Sequence, residues 1–281
     1  MNGTFIRYDA AISLLVVVGG HPFDRNAFAE MFASMDGVAA TFVDQPAAAQ
    51  LMSPEAMRGF DALVLYDLPG IDLMRGVTER KPDLIDPPAE LCAALLRLLD
   101  SGKGVLALHH AIAGWPTWEA YADILGGRFQ YLGSRLHGRD VPDSGYLQDV
   151  TYDAVVTQPS HPLVEGLPQR FALTDELYLF EVFEDAITPL LVADRSFHAA
   201  DFYSAEAAVV HGRMHCNRGW SHADGSNALA WVKRARNSPL AYVQPGDAGP
   251  TFANPHYRRL IENAVRWVAS DAARIWAGEP E

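Results

Sequence analysis

The chain has 281 residues, 49% hydrophobic and 20% charged. That balance belongs to a globular protein with an ample core and excludes the disordered and fibrous classes. The formal charge of -13, from 35 acidic residues against 22 Lys and Arg, argues against nucleic acid as partner or substrate, because binding to it is dominated by cationic contacts to the phosphate backbone. The one basic cluster, Lys233, Arg234 and Arg236, reads as a solvated face.

The N-terminal apolar run over residues 10–18 lacks a cationic flank and a small-residue cleavage site, so a first strand is expected there and not a leader. No stretch approaches the roughly 18 to 20 apolar residues of a membrane span, and no membrane partner is expected. Cys92 and Cys216 are the only cysteines and provide no disulfide framework, which fits a reducing, cytoplasmic setting. Cys92 lies in the helical pattern PAELCAALLRLLD and is expected as a buried structural thiol. Cys216, flanked by His215 and close to His222, is a minor candidate for metal binding.

In chain order, ISLLVVVGG is a near-continuous apolar run ending in Gly-Gly, the pattern of a strand buried on both faces of a parallel sheet. Residues 24–35 place Phe28, Met31, Phe32 and Met35 at helical spacing, with Asp24 as N-cap. VAATFVD, FDALVLYDLPG and KGVLALHHA give three more short strands. PAELCAALLRLLDSGKG is an amphipathic helix closed by glycine, and TWEAYADILGGRF is a shorter helix stopped at Gly126-Gly127. LQDVTYDAVV and the ELYLFEVF region are expected to form an antiparallel extension. Residues 197–227, rich in His, Gly, Asp and Ser, read as a loop insertion with the character of a lid. NALAWVKRA, LAYVQPGD and an amphipathic helix over residues 255–269 complete the chain.

The alternation is βαβ. It predicts a single α/β domain over residues 1–281 with a mostly parallel sheet flanked by helices. Ligands in such sheets bind beyond the carboxyl ends of the strands. Three of those ends carry polar groups, Gly19-Gly20-His21, Asp67-Leu68-Pro69 and His109-His110, and they are expected to meet on one rim.

Several strings together resemble the ThuA-like (trehalose-utilisation-like) family: the early GGH, GKGVLALHHAIAGWPTWEAYADILGGRF, SHPLVEGLP followed by TDELYLF, and ANPHYRRLIENAVRWVAS. The resemblance runs with gaps over most of the chain. It implies the class I glutamine amidotransferase-like, flavodoxin-like fold and a role in the catabolism of trehalose and related disaccharides. In amidotransferases of that fold a cysteine occupies the tight turn after a strand. Here His109-His110 stand at that turn, so no thiolate is expected to attack a glutamine amide. The family's last core strand usually ends in Gly-His, whereas this chain has PGDAG, with Asp247 at the histidine's place.

The candidate catalytic residues are His110, His109, Glu176 and His21, because two imidazoles directly after a buried strand are costly unless bonded or liganded. His137 and Glu176 follow from the resemblance, by order along the chain and by the DELY match. Asp67, Trp115, Tyr178 and Asp247 join His137 as candidate substrate contacts, and aromatic faces among polar groups suit a small-molecule carbohydrate. Trp118, Tyr131 and Trp220 lie near the same motifs. Asp175 is read as a capping neighbour of Glu176, and His161 as a turn residue before proline.

Histidines with a carboxylate suit either metal-free proton transfer or a divalent metal such as zinc, with His21, His110, His137 and Glu176 as candidate ligands. The spacing does not choose between them. Three functions therefore stand open: a sugar-active enzyme using acid/base chemistry, a metal-dependent hydrolase, and a non-catalytic sugar-binding or interaction module. GGHPFD lacks the GxGxxG spacing and no GxxxxGK[ST] occurs, so bound NAD or ATP is not expected. A homo-oligomer is compatible with the sequence, which specifies no assembly.

Overall fold

Apolar runs without alternation can be buried on both faces only in the interior of a layered sheet, and the interior is where three of these runs lie. In the computed structural model, which describes residues 9–73 and 83–278, four strands run parallel: β1 (Ile12–Gly19), β2 (Val38–Asp44), β3 (Ala62–Asp67) and β4 (Gly104–Leu108). Beyond them come β5 (Gly145–Val156), β6 (Arg170–Leu179), β7 (Thr188–Ala193), the short β8 (Tyr203–Ser204), β9 (Ala228–Ala235) and β10 (Ser238–Val243).

All ten form one sheet in the order β6-β5-β7-β9-β10-β4-β3-β1-β2, with β8 on β5. β10 returns parallel to β4, Leu240 opposite Val105. The parallel half therefore reads β2-β1-β3-β4-β10, the order 2-1-3-4-5 of flavodoxin-like sheets. The α/β class expected from the sequence is the class observed. The antiparallel part, β10-β9-β7-β5-β6, is a full half of the sheet and exceeds the extension anticipated from two segments.

Two-residue periodicity sorts each central strand between two cores. Leu14, Val16 and Val18 face Phe28, Met31 and Phe32 of α1 (Arg25–Ala33) and Leu260, Ile261 and Val265 of a late helix. Leu15 and Val17 face Leu91, Leu95 and Leu98 of α2 (Ala89–Asp100) and Tyr121 and Leu125 of α3 (Glu119–Leu125). The remaining helices are α4 (Ala205–His211), α5 (Gly249–Ala253), α6 (Pro255–Val268) and α7 (Asp271–Gly278). The late helix is α6, started by Pro255 and by the Asn254 side chain accepting from the backbone of His256 and Tyr257. Asp24 caps α1 through the amide of Ala27, as expected, and Gly126 ends α3 at φ 89°. Among the described residues no helix is long and apolar enough to cross a membrane.

Three expectations are corrected. The basic cluster is only in part a solvated face: Arg236 is exposed, but β9 lies inside the sheet, so Lys233 is buried and its ammonium donates to the Asp123 carbonyl. Arg236 pairs with Asp100 at 2.9 Å, and Arg234 lies 5.3 Å over the Trp276 ring. Cys92 is half-buried on α2 instead of buried. Residues 197–227 are not a plain loop, for they carry β8 and α4. They are pinned by Asp143, whose carboxylate accepts from Ser204 Oγ at 2.6 Å and the Glu206 amide at 2.8 Å, while its carbonyl accepts from Trp220 Nε1 at 3.2 Å.

The crossing of the β1 and β3 loops sets the rim on which the site is built. Gly20 has φ 89°, and a Cβ there would lie 2.3 Å from the Leu68 carbonyl oxygen. Only glycine allows this approach. Gly20→Ala is expected to lower stability by about 2 kcal/mol or more, read as a fall in the thermal unfolding midpoint; an unchanged midpoint would show that the two loops are free to separate.

Candidate active site

His109 is the residue on which the site turns. It follows β4 directly, opens a short 3-10 turn (His109–Ala113) and holds φ 44°, a left-handed conformation uncommon for a side-chain-bearing residue. This is the sharp strand-to-turn geometry that lifts a side chain above a parallel sheet. Three bonds hold it there: His109 Nδ1 donates to the Gln244 carbonyl at 2.6 Å, Tyr242 Oη donates to the His109 carbonyl at 3.0 Å, and Tyr178 Oη lies 2.9 Å from His109 Nε2. Because Nδ1 is committed to a carbonyl, Nε2 is the atom left to face Tyr178 and the carboxylates.

Two carboxylates face that nitrogen. Glu176 Oε2 lies 3.4 Å away and Asp247 Oδ1 3.5 Å away. They reach it from distant stretches of chain because Asp175 ties them together. Its carboxylate accepts from the amides of Glu176 at 2.8 Å, Gly246 at 2.6 Å and Asp247 at 3.1 Å, which fastens the loop after β10 to the middle of β6. Gln244 Nε2 adds a bond to the Glu176 carbonyl at 3.3 Å, and Tyr66 Oη one to the Gly246 carbonyl at 2.7 Å.

His110 turns to the pocket side, and its Nδ1 is buried without a hydrogen-bond partner. The His21 ring stacks on it, centroids 3.8 Å apart. One ligand-type atom from each of His109, His110, Glu176 and Asp247 lies within 4.8 Å of all the others.

Burial and mutual charge set the protonation states. For His109 burial disfavours the imidazolium, yet the two carboxylates outweigh it and raise the pKa well above the usual range. Burial, then the charge of His109, push His110 well below it, and burial brings His21 down to about 4. Glu176 is raised by burial against the pull of His109. Asp247 is only partly buried, and the hydrogen bond and charge of His109 overcome its desolvation and lower it. At neutral pH the cluster thus sets a neutral imidazole, His110, beside a charged one.

His110, Glu176 and Asp247 open on a cavity of about 290 Å³, with His109 buried behind them. Phe129, Tyr131, Tyr146 and Tyr178 supply aromatic walls, and Gln148 a further polar group. The far wall is Ala205, Ala208 and Val209 of α4 with Met214 beyond it, so the 197–227 segment closes one side of the pocket.

Of the residues singled out in the sequence, the structure brings together His109, His110, His21, Glu176, Tyr178 and Asp247. It sets three apart. His137, matched only by order along the chain, is half-exposed in a separate depression, its Nε2 2.8 Å from Asp123 and its amide donating to Glu119. Asp67 is 1% exposed and bonded to Gln45 Nε2 at 2.8 Å, beneath the rim and not on the pocket wall. Trp115 packs in the loop after β3, its amide donating to the Pro69 carbonyl. Trp118 stacks on Tyr121, and Trp220 serves Asp143.

His161 is the expected turn residue, its Nδ1 accepting from the Leu163 amide at 3.1 Å. Cys216, His215 and His222 join no cluster of three or more ligand-type side chains among the described residues. Gln244 was missed, although its place after the last parallel strand is where the strand-end rule directs attention. Asp143 and Met214 carry no sequence signal of their own.

Fold and site together define an α/β protein of flavodoxin-like strand order, with a histidine at the strand-to-turn elbow and two carboxylates delivered to it from the far half of the sheet. The chain belongs to the ThuA (trehalose utilisation) family, whose model matches residues 15–268. Among solved structures it is similar to a putative ThuA-like protein from Parabacteroides merdae, with 16% identity, TM-score 0.60 and coverage of 92% of this chain and 90% of that one. A putative ThuA-like protein from Bacteroides uniformis shows 15% identity, TM-score 0.61 and 96% coverage of both chains. The cytoplasmic protein STM1381 from Salmonella typhimurium shows 11% identity and TM-score 0.54 over 91% of this chain and 99% of that one. No curated protein sequence matches the chain.

Asp67 yields a pH-dependent prediction. Burial lifts its carboxyl from the ordinary value to about 7. The folded state therefore binds more protons than the unfolded state between those two values, and stability present at low pH is lost as pH rises through that window. Asp67→Asn removes the loss. It is expected to raise the unfolding midpoint by several degrees at pH 8, consistent with a few kcal/mol for a shift of this size, and to leave it near wild type at pH 4. Equal effects at both pH values would show that Asp67 is ionised throughout.

Proposed function

We propose that this chain is a carbohydrate-active enzyme that binds a disaccharide or an oxidised sugar in the aromatic-walled cavity and transfers protons at its floor. The observation that carries the reading is the clustering of His109, His110, Glu176 and Asp247 from three distant stretches of chain, with His110, Glu176 and Asp247 on the wall of one pocket and His109 buried behind them. The family's association with trehalose utilisation supports the substrate class and adds nothing about the reaction.

His110 is the group that takes up and returns the proton. It is a neutral imidazole on the pocket wall with an unpartnered nitrogen, so a lone pair is free to accept a proton. Glu176 and Asp247, with His109 between them, form a fixed charged wall that balances the charge appearing on His110. Tyr131 and Tyr146 supply aromatic wall to a sugar ring, and Gln148 offers a hydrogen-bonding group to its hydroxyls. The elbow carries imidazole where amidotransferases carry a thiol, so glutamine hydrolysis through a thioester is not part of this reading.

The test is a panel of disaccharides and their carbonyl-bearing derivatives followed by NMR. Wild-type protein is expected to convert at least one member. His110→Ala is expected to lower kcat by about a hundredfold or more, with KM changed little and the unfolding midpoint retained. Undiminished turnover in the variant would remove His110 from the chemistry. Binding of sugars without conversion of any of them would instead support a binding module.

A further inference from the structure

The acceptor atoms at the floor of the pocket outnumber the positive charge available to them. His109 Nε2 faces Glu176 Oε2 at 3.4 Å and Asp247 Oδ1 at 3.5 Å, and His109 Nδ1 is spent on the Gln244 carbonyl. A proton on Nε2 leaves this buried group with a net charge of one negative unit, whereas a divalent cation would bring it to zero.

We infer that His109 Nε2, Glu176 and Asp247 form a binding site for a divalent cation of the zinc class, with one coordination position open to the pocket beside His110.

The geometry supports the inference at several points. Ligand atoms about 2.1 Å from a tetrahedral zinc ion stand roughly 3.4 Å from one another, the separation found along both edges that meet at His109 Nε2. The Nδ1 bond to a backbone carbonyl is the second contact that fixes ring and tautomer in metal-bound histidines. Asp175 holds the backbone of both carboxylate residues through its three amide bonds, so little ordering is left to be done when an ion arrives. His110, more than nine-tenths buried and with its Nδ1 unpartnered, presents a nitrogen within 4.8 Å of the three ligand atoms.

Tyr178 Oη, now 2.9 Å from Nε2, would turn its hydroxyl to Glu176 when the ion binds. The open position would take a hydroxyl or carbonyl oxygen of the sugar and polarise it next to the base. The inference rests on the enzyme reading for what the ion does, and on the side-chain geometry alone for whether it binds.

The experiment uses the full chain stripped with chelator, titrated with Co2+ and followed by visible ligand-field absorption and by calorimetry. Saturable binding at one ion per chain, displaced by Zn2+, is expected. Asp247→Asn and Glu176→Gln, both near-isosteric, are each expected to weaken Co2+ binding by about a hundredfold or more. His137→Ala, at the separate depression, is expected to leave it unchanged. Absence of saturable binding, or equal affinity in wild type and both carboxylate variants, overturns the site. Ion binding as expected without conversion of any sugar keeps the site and removes the enzyme reading. Sugar conversion by stripped protein that binds no Co2+ does the reverse.

Discussion

The site depends on one carboxylate that does no chemistry. Asp175 collects the amides of Glu176, Gly246 and Asp247, and this grip joins the middle of an antiparallel strand to the loop after the last parallel one. Hydrogen bonds to an ionised acceptor are the stronger kind, and buried donors left without one are costly. The arrangement around His109 is therefore enforced by the backbone and does not rely on attraction between the functional side chains. Those side chains would repel each other without a proton or a cation between them.

His109 brings a second constraint. Its left-handed backbone has an energetic cost, and strained residues of this kind persist only where their surroundings over-determine them. Here the surroundings are the carbonyl of Gln244 and the hydroxyls of Tyr242 and Tyr178. The elbow after β4 is thus held from three sides, and its occupant is an imidazole that faces two carboxylates.

How much of this could be read from the chain follows from the range of the interactions. The parallel strands, their helices and the Asp24 cap were legible, because burial on two faces and local capping leave marks within a few residues. Two of the three polar strand ends converge as the strand-end rule predicts, His21 stacking on His110. Asp67 shares that rim but sinks beneath it, because sequence gives the end of a strand and not the depth of a side chain. His137 entered through order along the chain, which carries no distance. Lys233 looked like surface charge, since its carbonyl partner Asp123 lies 110 residues away. The extent of the antiparallel half escaped notice for a similar reason: its partners are remote and its alternation is broken by register shifts between Leu147 and Val150 and within the pairing of β7 with β9.

The wall made by α4 and Met214 comes from a separate stretch of chain, docked through Asp143, through the pairing of β8 with β5 and through the Tyr146 hydroxyl, which accepts from the His215 amide. The clustered imidazoles and carboxylates and this side of the pocket boundary thus belong to different stretches of chain. Lengthening, shortening or repainting that strip would reshape the chamber while the imidazoles and carboxylates stay in place. Substitution there would change what fits the chamber without touching the residues at its floor.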